Sequence, residues 1–337
     1  MEIVHDVLFT GPETGCHLSS AMNESRAMAL QMCPFSPYLE TGLKARFEVI
    51  RWFEISEPEK AAVLKQYAEA VRAVVTGGHI GCSDDLMVAL PNLGIIAING
   101  VGVDKVSLAL ARQRGVRITT TPGVLTADVA DLAVGLIISL LRSIPAADAY
   151  VRAGRWLQAD RPLGRKVSGR RFGIVGLGHI GAAIAARLTA FGPVAYTGPN
   201  QKPQAAYAFH ANAVELAAAS DVLVIACPAY ASTHRLINAQ VLDALGPEGY
   251  LVNVARGAVV DEPALIAALN AGRIAGAALD VFENEPQVPA ELIASQKVVL
   301  TPHVASATVE TRMQMSDVVL ANLDAFLSGQ LPAAAAS

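Results

Sequence analysis

The sequence is poor in charge. Only 17% of its 337 residues are Asp, Glu, Lys or Arg, and the formal net charge is −4. No basic stripe appears, which argues against a nucleic-acid partner. Hydrophobic residues reach 53%, enough for a large core and too many for a generally disordered chain. Long apolar runs are nevertheless missing. The longest, residues 132–141, covers ten positions, whereas a helix crossing a bilayer needs about 20. It reads as a buried helix, and no membrane association is expected.

Cysteine is scarce and scattered. Cys16, Cys33, Cys82 and Cys227 form no Cys-x-x-Cys pair, so reduced thiols in the cytoplasm are expected. No His-x-x-x-His or Cys/His cluster occurs, and no metal is expected. The Gly-x-Ser-x-Gly elbow of an α/β-hydrolase is absent as well. At the N-terminus no basic segment leads into an apolar one, which argues against a signal peptide. Residues 1–27 lack a steady period and read as a disordered extension, with a working start near Met22 or Met28. The tail 332–337 reads as frayed.

The remaining chain is long enough for two cores. From Ala29 onward, β-branched runs alternate with helical stretches. Residues 48–52, 73–76 and 94–98 read as strands, with helices at 58–71 and 83–90 between them. Such alternation implies parallel βαβ units. A long helix is expected over 127–153. Strands are then expected at 172–175, 193–197, 222–226, 250–254, 276–279 and 298–300, with helices between them. The final helix, about 308–329, has no strand after it and is expected to return to the first block. The fold class is therefore α/β with two doubly wound parallel sheets, the smaller domain built from both ends of the chain. The expected domains are 28–103 plus 304–331 for substrate and 104–303 for a dinucleotide.

The segment Gly176-Leu177-Gly178-His179-Ile180-Gly181 follows one of these strands and opens a helix. Gly-x-Gly-x-x-Gly in isolation is weak, and a plain strand-to-helix turn is the competing reading. In this setting Gly176 permits the tight turn, Gly178 admits a pyrophosphate, and Gly181 allows close helix–strand packing, with the helix N-terminus facing the phosphates. His179 can add a side-chain contact to phosphate. A ribose reader is due about 20 residues on, yet residues 195–202 contain no Asp or Glu. Nothing there repels a 2′-phosphate, and Thr197, Asn200 and Lys202 can donate to one. NADP(H) is the expected cofactor and NAD(H) the alternative, since no Arg sits in the segment.

Three side chains stand at strand ends where ketone chemistry needs them. Arg256 can bind a carboxylate through two parallel hydrogen bonds and polarise the neighbouring carbonyl. His303 is the one histidine that directly follows a strand of the second block, and Glu285 lies just after the preceding strand. A carboxylate beside an imidazole favours its protonated form, so the pair can act as a general acid. The other histidines read as solvated or structural. His79 stands in a possible substrate loop, where a loop role is the simpler reading.

Taken in order, several segments resemble the D-isomer-specific 2-hydroxyacid dehydrogenase family. They are 99–104, 121–126, 176–181, 253–257, 278–282, 284–286 and 301–303, and the likeness runs from about Leu30 to Leu331. The resemblance implies His303 as general acid/base, Glu285 as its partner and Arg256 as the binder of carboxylate and carbonyl. It also implies that amides around Gly78, Val101 and Gly102 hold the substrate carboxylate. Asp280 would orient the nicotinamide amide. Ile180, Thr126, Cys227, Pro228, Val254 and Ala255 would contact the cofactor. A homodimer through the nucleotide domain and closure of the small domain are implied too.

Within the family, Leu163–Gly169 and the missing acidic ribose reader look most like bacterial glyoxylate/hydroxypyruvate reductases, a subgroup that commonly prefers NADPH. That subgroup often has Arg where this chain has Asn200 and His179. The alternatives are a 2-ketogluconate reductase, a D-lactate-type dehydrogenase, or a non-catalytic NAD(P)-sensing binding protein.

Overall fold

The structure is a computed structural model that describes residues 26–332. Residues 1–25 and 333–337, which hold most of the expected extension and tail, lie outside the described residues. Two parallel sheets organise the rest. The smaller contains β1 (Met28–Gln31), β2 (Glu48–Arg51), β3 (Val71–Gly77), β4 (Ile95–Asn99) and β5 (Arg117–Thr119). Its helices are α1 (Pro37–Arg46), α2 (Glu57–Tyr67), α3 (Asp84–Ala89) and α4 (Leu108–Arg114). The chain then crosses over through α5 (Thr126–Leu141) and α6 (Ile144–Arg152).

The larger sheet contains β6 (Phe172–Val175), β7 (Val194–Thr197), β8 (Ala208–Phe209), β9 (Val222–Ile225), β10 (Tyr250–Asn253), β11 (Gly276–Leu279) and β12 (Val298–Leu300). Its helices are α7 (His179–Leu188), α8 (Ala213–Ala218), α9 (Ala239–Leu245), α10 (Glu262–Asn270) and α11 (Ala290–Ala294). The last element is α12 (Val309–Leu327).

The strand orders are β2-β1-β3-β4-β5 and β12-β11-β10-β9-β6-β7-β8, both doubly wound. Strands of this kind are covered on both faces. Accordingly β6, β9, β10 and β11 are buried at every position, and their sequences are apolar except for Asn253 at the end of β10. Local signals fix the helix starts. Ser36, Ser83, Ser107, Asn212, Asn238, Asp261 and Thr308 each accept a hydrogen bond from a first-turn amide.

Helix α12 returns to the smaller sheet. Val319, Leu320 and Leu323 pack with Leu39 and Leu43 of α1 against Ala73, Val75, Ile95 and Ala97. Gly42 permits the close crossing, because a Cβ there would lie 2.5 Å from Leu320 Cδ1. The small domain is thus closed by the far end of the chain.

Three expectations need correction. The long helix over 127–153 is two helices that meet at a 59° bend. Ser143 takes a left-handed conformation (φ 51°), and Pro145 lies at the start of α6. A proline inside one continuous helix would lack its N–H and clash with the preceding turn, so the helix restarts there. The small sheet also does not end at 103. Strand β5, unread in the sequence, pairs with β4, so this block runs through Thr119. Strands β1 and β8 were also unread. β1 has no β-branched residue, and β8 has only two residues.

Among the described residues no single helix is long and apolar enough to cross a membrane. Replacing Leu323, which is 0% exposed, by Ala should lower stability by about 2–5 kcal/mol. Denaturant titration with hydrogen exchange should find amides of β1–β4 opening before those of β6–β11. Unchanged protection would mean that α12 is not part of this core.

Candidate active site

The carboxyl ends of both sheets face one cleft of about 930 Å3. Its walls include Gly78, Val101, Gly102, Ile180, Val254, Arg256, Glu285 and His303, all chosen from sequence.

The pair at its centre is built by a buried clamp. Asp280, 0% exposed, follows β11. Its carboxylate accepts from Thr301 Oγ1 at 2.6 Å, Val304 N at 2.9 Å and Ala305 N at 3.0 Å. Its carbonyl accepts from His303 N at 2.8 Å. These bonds hold His303 at φ 53°, a conformation that a histidine rarely adopts and that its surroundings must enforce. His303 Nδ1 then donates to Glu285 Oε2 at 2.7 Å, while Glu285 Oε1 accepts from Phe282 N at 3.0 Å. The imidazole is thereby oriented with Nε2 left for another partner. Burial alone would push the Glu285 carboxyl up. The hydrogen bond and charge of His303, with the Phe282 amide, outweigh burial and hold it below its ordinary range.

Arg256 is fixed by the turn after β10. Asn253 spans that turn, accepting from Ala255 N and donating to the Arg256 carbonyl, both at 3.0 Å. Gly257 passes so close to Phe282 that a Cβ would lie 1.9 Å from its carbonyl carbon, which brings Arg256 beside the 282–285 turn. The guanidinium donates from Nε to Asp104 Oδ1 at 3.2 Å and from Nη1 to the Ala255 carbonyl at 2.7 Å. Nη2 lies against Gly102, where any Cβ would displace it.

The glycine loop forms where the chain order of the larger sheet reverses, between β6 and β9. Gly176 has φ 94°, and a Cβ there would lie 2.7 Å from Cys227 Cα. At Gly181 a Cβ would meet the Gly176 carbonyl oxygen at 1.9 Å. Gly178 differs: a Cβ there would point into open space. That space lies at the start of α7, with exposed His179 as its first residue and unpaired helix amides behind it. The arrangement fits a pyrophosphate.

Lys202 Nζ donates to the Leu177 carbonyl and so stands over the same loop. Asn200 is exposed nearby, whereas Thr197 is only 5% exposed and offers a phosphate little surface. Cys227 and Val254 are buried, Thr126 and Ala255 are half-buried, and Pro228 is exposed. Burial pushes the Cys227 thiol up to about 11. The carboxylate of Asp280 accepts three hydrogen bonds from residues 301–305.

Sequence reasoning missed several residues. Asp104 fixes Arg256, and in the sequence it stands out only as part of the segment 99–104. His79, read as a plain loop residue, lines the cleft with its ring centroid 5.7 Å from that of His303. Burial and the charge of His303 lower its pKa. Cys33, Ser36, Arg312 and Ser316 also line the cleft, and no motif pointed to them.

A doubly wound sheet with this glycine loop, facing an arginine and a carboxylate-held histidine, defines a nicotinamide-dependent oxidoreductase. Residues 134–305 match the family model described as D-isomer specific 2-hydroxyacid dehydrogenase, NAD binding domain. Glyoxylate/hydroxypyruvate reductase A from Arabidopsis thaliana is 49% identical over 302 residues, covering 89% of this chain and 96% of that protein. The 2-ketogluconate reductase of Gluconobacter oxydans is 43% identical over 305 residues, covering 90% and 96%. The solved NADPH-dependent glyoxylate/hydroxypyruvate reductase of Sinorhizobium meliloti, in complex with NADP and malonate, superimposes with a TM-score of 0.87 at 42% identity, covering 93% and 97%. The chain belongs to the D-isomer-specific 2-hydroxyacid dehydrogenase family and is an NAD(P)-dependent enzyme.

Two substitutions separate packing from ligand space. Gly178→Ala should keep the melting temperature but weaken nucleotide binding at least tenfold by calorimetry. Gly181→Ala should lower both. Equal nucleotide affinity for Gly178→Ala and wild type would remove the pyrophosphate from this loop.

The Glu285 carboxyl gives a pH test. Its folded-state value is depressed, so its stabilising contribution is present above about pH 4.3, the ordinary carboxyl value. The contribution is lost as pH falls through the folded value. The melting-temperature gap between wild type and Glu285→Gln should therefore be open at pH 7 and close in acid. A gap that widens in acid would contradict the assignment.

Proposed function

We propose that the chain reduces small 2-oxo acids, glyoxylate and hydroxypyruvate foremost, to 2-hydroxy acids with NADPH preferred over NADH. The observation that carries the reading is the 2.7 Å Glu285–His303 bond in the same cleft as Arg256 and Ile180 of the glycine loop.

A bound dihydronicotinamide supplies the hydride to the keto carbon. Arg256, steadied by Asp104, pairs with the substrate carboxylate and polarises the adjacent carbonyl. Amides of Gly78, Val101 and Gly102 complete the carboxylate site. His303 donates a proton from Nε2 to the keto oxygen, and Glu285 stabilises the imidazolium that precedes transfer. The keto carbon thus gains hydride and its oxygen a proton, and His303 is reprotonated from solvent. Closure of the small domain over the cleft excludes water from this exchange.

The NADPH preference is supported by the carboxylate-free segment after β7, by Lys202 over the glycine loop, and by exposed Asn200 and His179. Homodimerisation through the nucleotide domain is supported by the apolar residues Ile144, Val151, Trp156, Leu157 and Leu163, all exposed between α5 and β6. The free thiols of Cys33, Cys82 and Cys227 fit a reducing cytoplasm. The size of the cleft favours one second reading, a longer 2-oxo acid such as 2-ketogluconate.

The test is the oxidation of NADPH and NADH, followed by absorbance, with glyoxylate, hydroxypyruvate, pyruvate and 2-ketogluconate. Turnover with the first two and a lower KM for NADPH are expected. Absence of turnover with all four would overturn the reading, and a lower KM for NADH would overturn the cofactor preference. His303→Asn should lower kcat by orders of magnitude while nucleotide binding persists. Loss of both together would make His303 structural.

A further inference from the structure

The smaller sheet has its own point of reversed strand order, between β1 and β3. In open α/β sheets the crevice beyond the strand ends at such a point is where ligands bind. Here the loop after β1 meets the loop after β3: a Cβ on Gly77 would lie 3.5 Å from Cys33 Sγ. Both loops line the cleft, and α12 sends Arg312 into the same corner. One turn further along the helix is Ser316, whose hydroxyl donates to the Arg312 carbonyl at 2.7 Å and whose Oγ lies 3.4 Å from that of Ser36 on the cleft wall.

Arg312 is half-buried, and among the described residues its side chain forms no ion pair and donates no hydrogen bond. Burial lowers its pKa from the ordinary arginine value, as expected for a cation without a counter-ion. The other charges of the cleft have partners within the chain. Arg256 is paired with Asp104, and Glu285, the one carboxylate on the wall among the described residues, is bonded to His303. A guanidinium partly withdrawn from water and without a counter-ion is costly, and an anion brought to it relieves that cost. Its planar fork suits the two-oxygen edge of a carboxylate or phosphate.

We propose that Arg312, with the hydroxyl of Ser36 beside it, forms a distal anion subsite. The preferred substrates would then be 2-oxo acids that carry a second anionic group away from the reacting carbonyl. The inference rests on the reduction of 2-oxo acids proposed above and narrows its substrate class. Arg256 takes the carboxylate next to the carbonyl, and Arg312 takes the far one.

The experiment compares kcat/KM for two matched pairs with NADPH: pyruvate against oxaloacetate, and hydroxypyruvate against its 3-phosphate. Wild type should favour the doubly anionic member of at least one pair, and which pair identifies carboxylate or phosphate. Arg312→Gln should reduce that preference by about 10–100-fold, the range for losing a charge-assisted hydrogen bond. Arg312→Lys should restore part of it, since the charge returns without the fork. Melting temperatures confirm that both variants fold.

Reduction of pyruvate and hydroxypyruvate with no dianion preference would overturn the subsite and leave the reductase reading intact. Equal loss of all four substrates in Arg312→Gln would also overturn it. Calorimetry of succinate and butyrate on the NADP-loaded chain reads the subsite without turnover. Tighter succinate binding that disappears in Arg312→Gln supports the subsite, and equal binding of the two acids contradicts it.

Discussion

The buried carboxylate of Asp280 lies where the chain leaves the larger sheet for the last time. Three hydrogen bonds from Thr301, Val304 and Ala305 converge on it, and the His303 amide bonds to its carbonyl. A fully buried acid persists only when its oxygens are satisfied, so the segment 301–305 has little freedom. Two consequences follow from that constraint. His303 is held in a left-handed conformation with Nδ1 against Glu285, and the chain is aimed toward α12, which closes the smaller sheet. Catalytic geometry and domain connection thus share one anchor.

The two sheets repeat one physical theme at different scales. Each reverses its strand order near the middle, and each opens a crevice there. In the larger sheet the crevice is shaped by glycines, because backbone approaches backbone: Gly176 against Cys227, Gly181 against Gly176. Only Gly178 leaves room on the outer side. In the smaller sheet the crevice is walled by polar side chains instead, among them Arg312, whose guanidinium has no partner among the described residues. The first suits a phosphate held by amides and a helix end. The second suits the free end of a small acid. Between them stand Arg256 and His303, supplied by the larger sheet.

Much of this was legible in the sequence. Buried parallel strands announce themselves as apolar runs, and residues 172–175 and 222–225 did so. Arg256, Glu285 and His303 were visible because each follows a strand and each has a chemistry that ketone reduction needs. What stayed hidden depends on contacts through space. Arg256 and Asp104 are 152 positions apart, and nothing local in either segment announces their pairing. Arg312 lies on a helix that in sequence shows only its return to the first block. Asp280 stands out in the sequence through its family motif, while its hydrogen bonds to residues 301–305 become visible only in the fold. The break between α5 and α6 was signalled by Pro145, but the apolar pattern on either side ran on and masked it. Strands β1, β5 and β8 were too short, or too poor in β-branched residues, to stand out.

The central claim is that one cleft holds a 2-oxo acid between Arg256 and the Glu285-oriented His303. A crystal structure of the chain with NADP and oxamate, an unreactive analogue of a 2-oxo acid, tests it most directly. The account predicts the oxamate carboxylate on the Arg256 guanidinium and its amide oxygen within about 3.2 Å of His303 Nε2, with Nδ1 still bonded to Glu285. Oxamate bound away from His303, or a histidine turned from Glu285 when the cleft is filled, would contradict it.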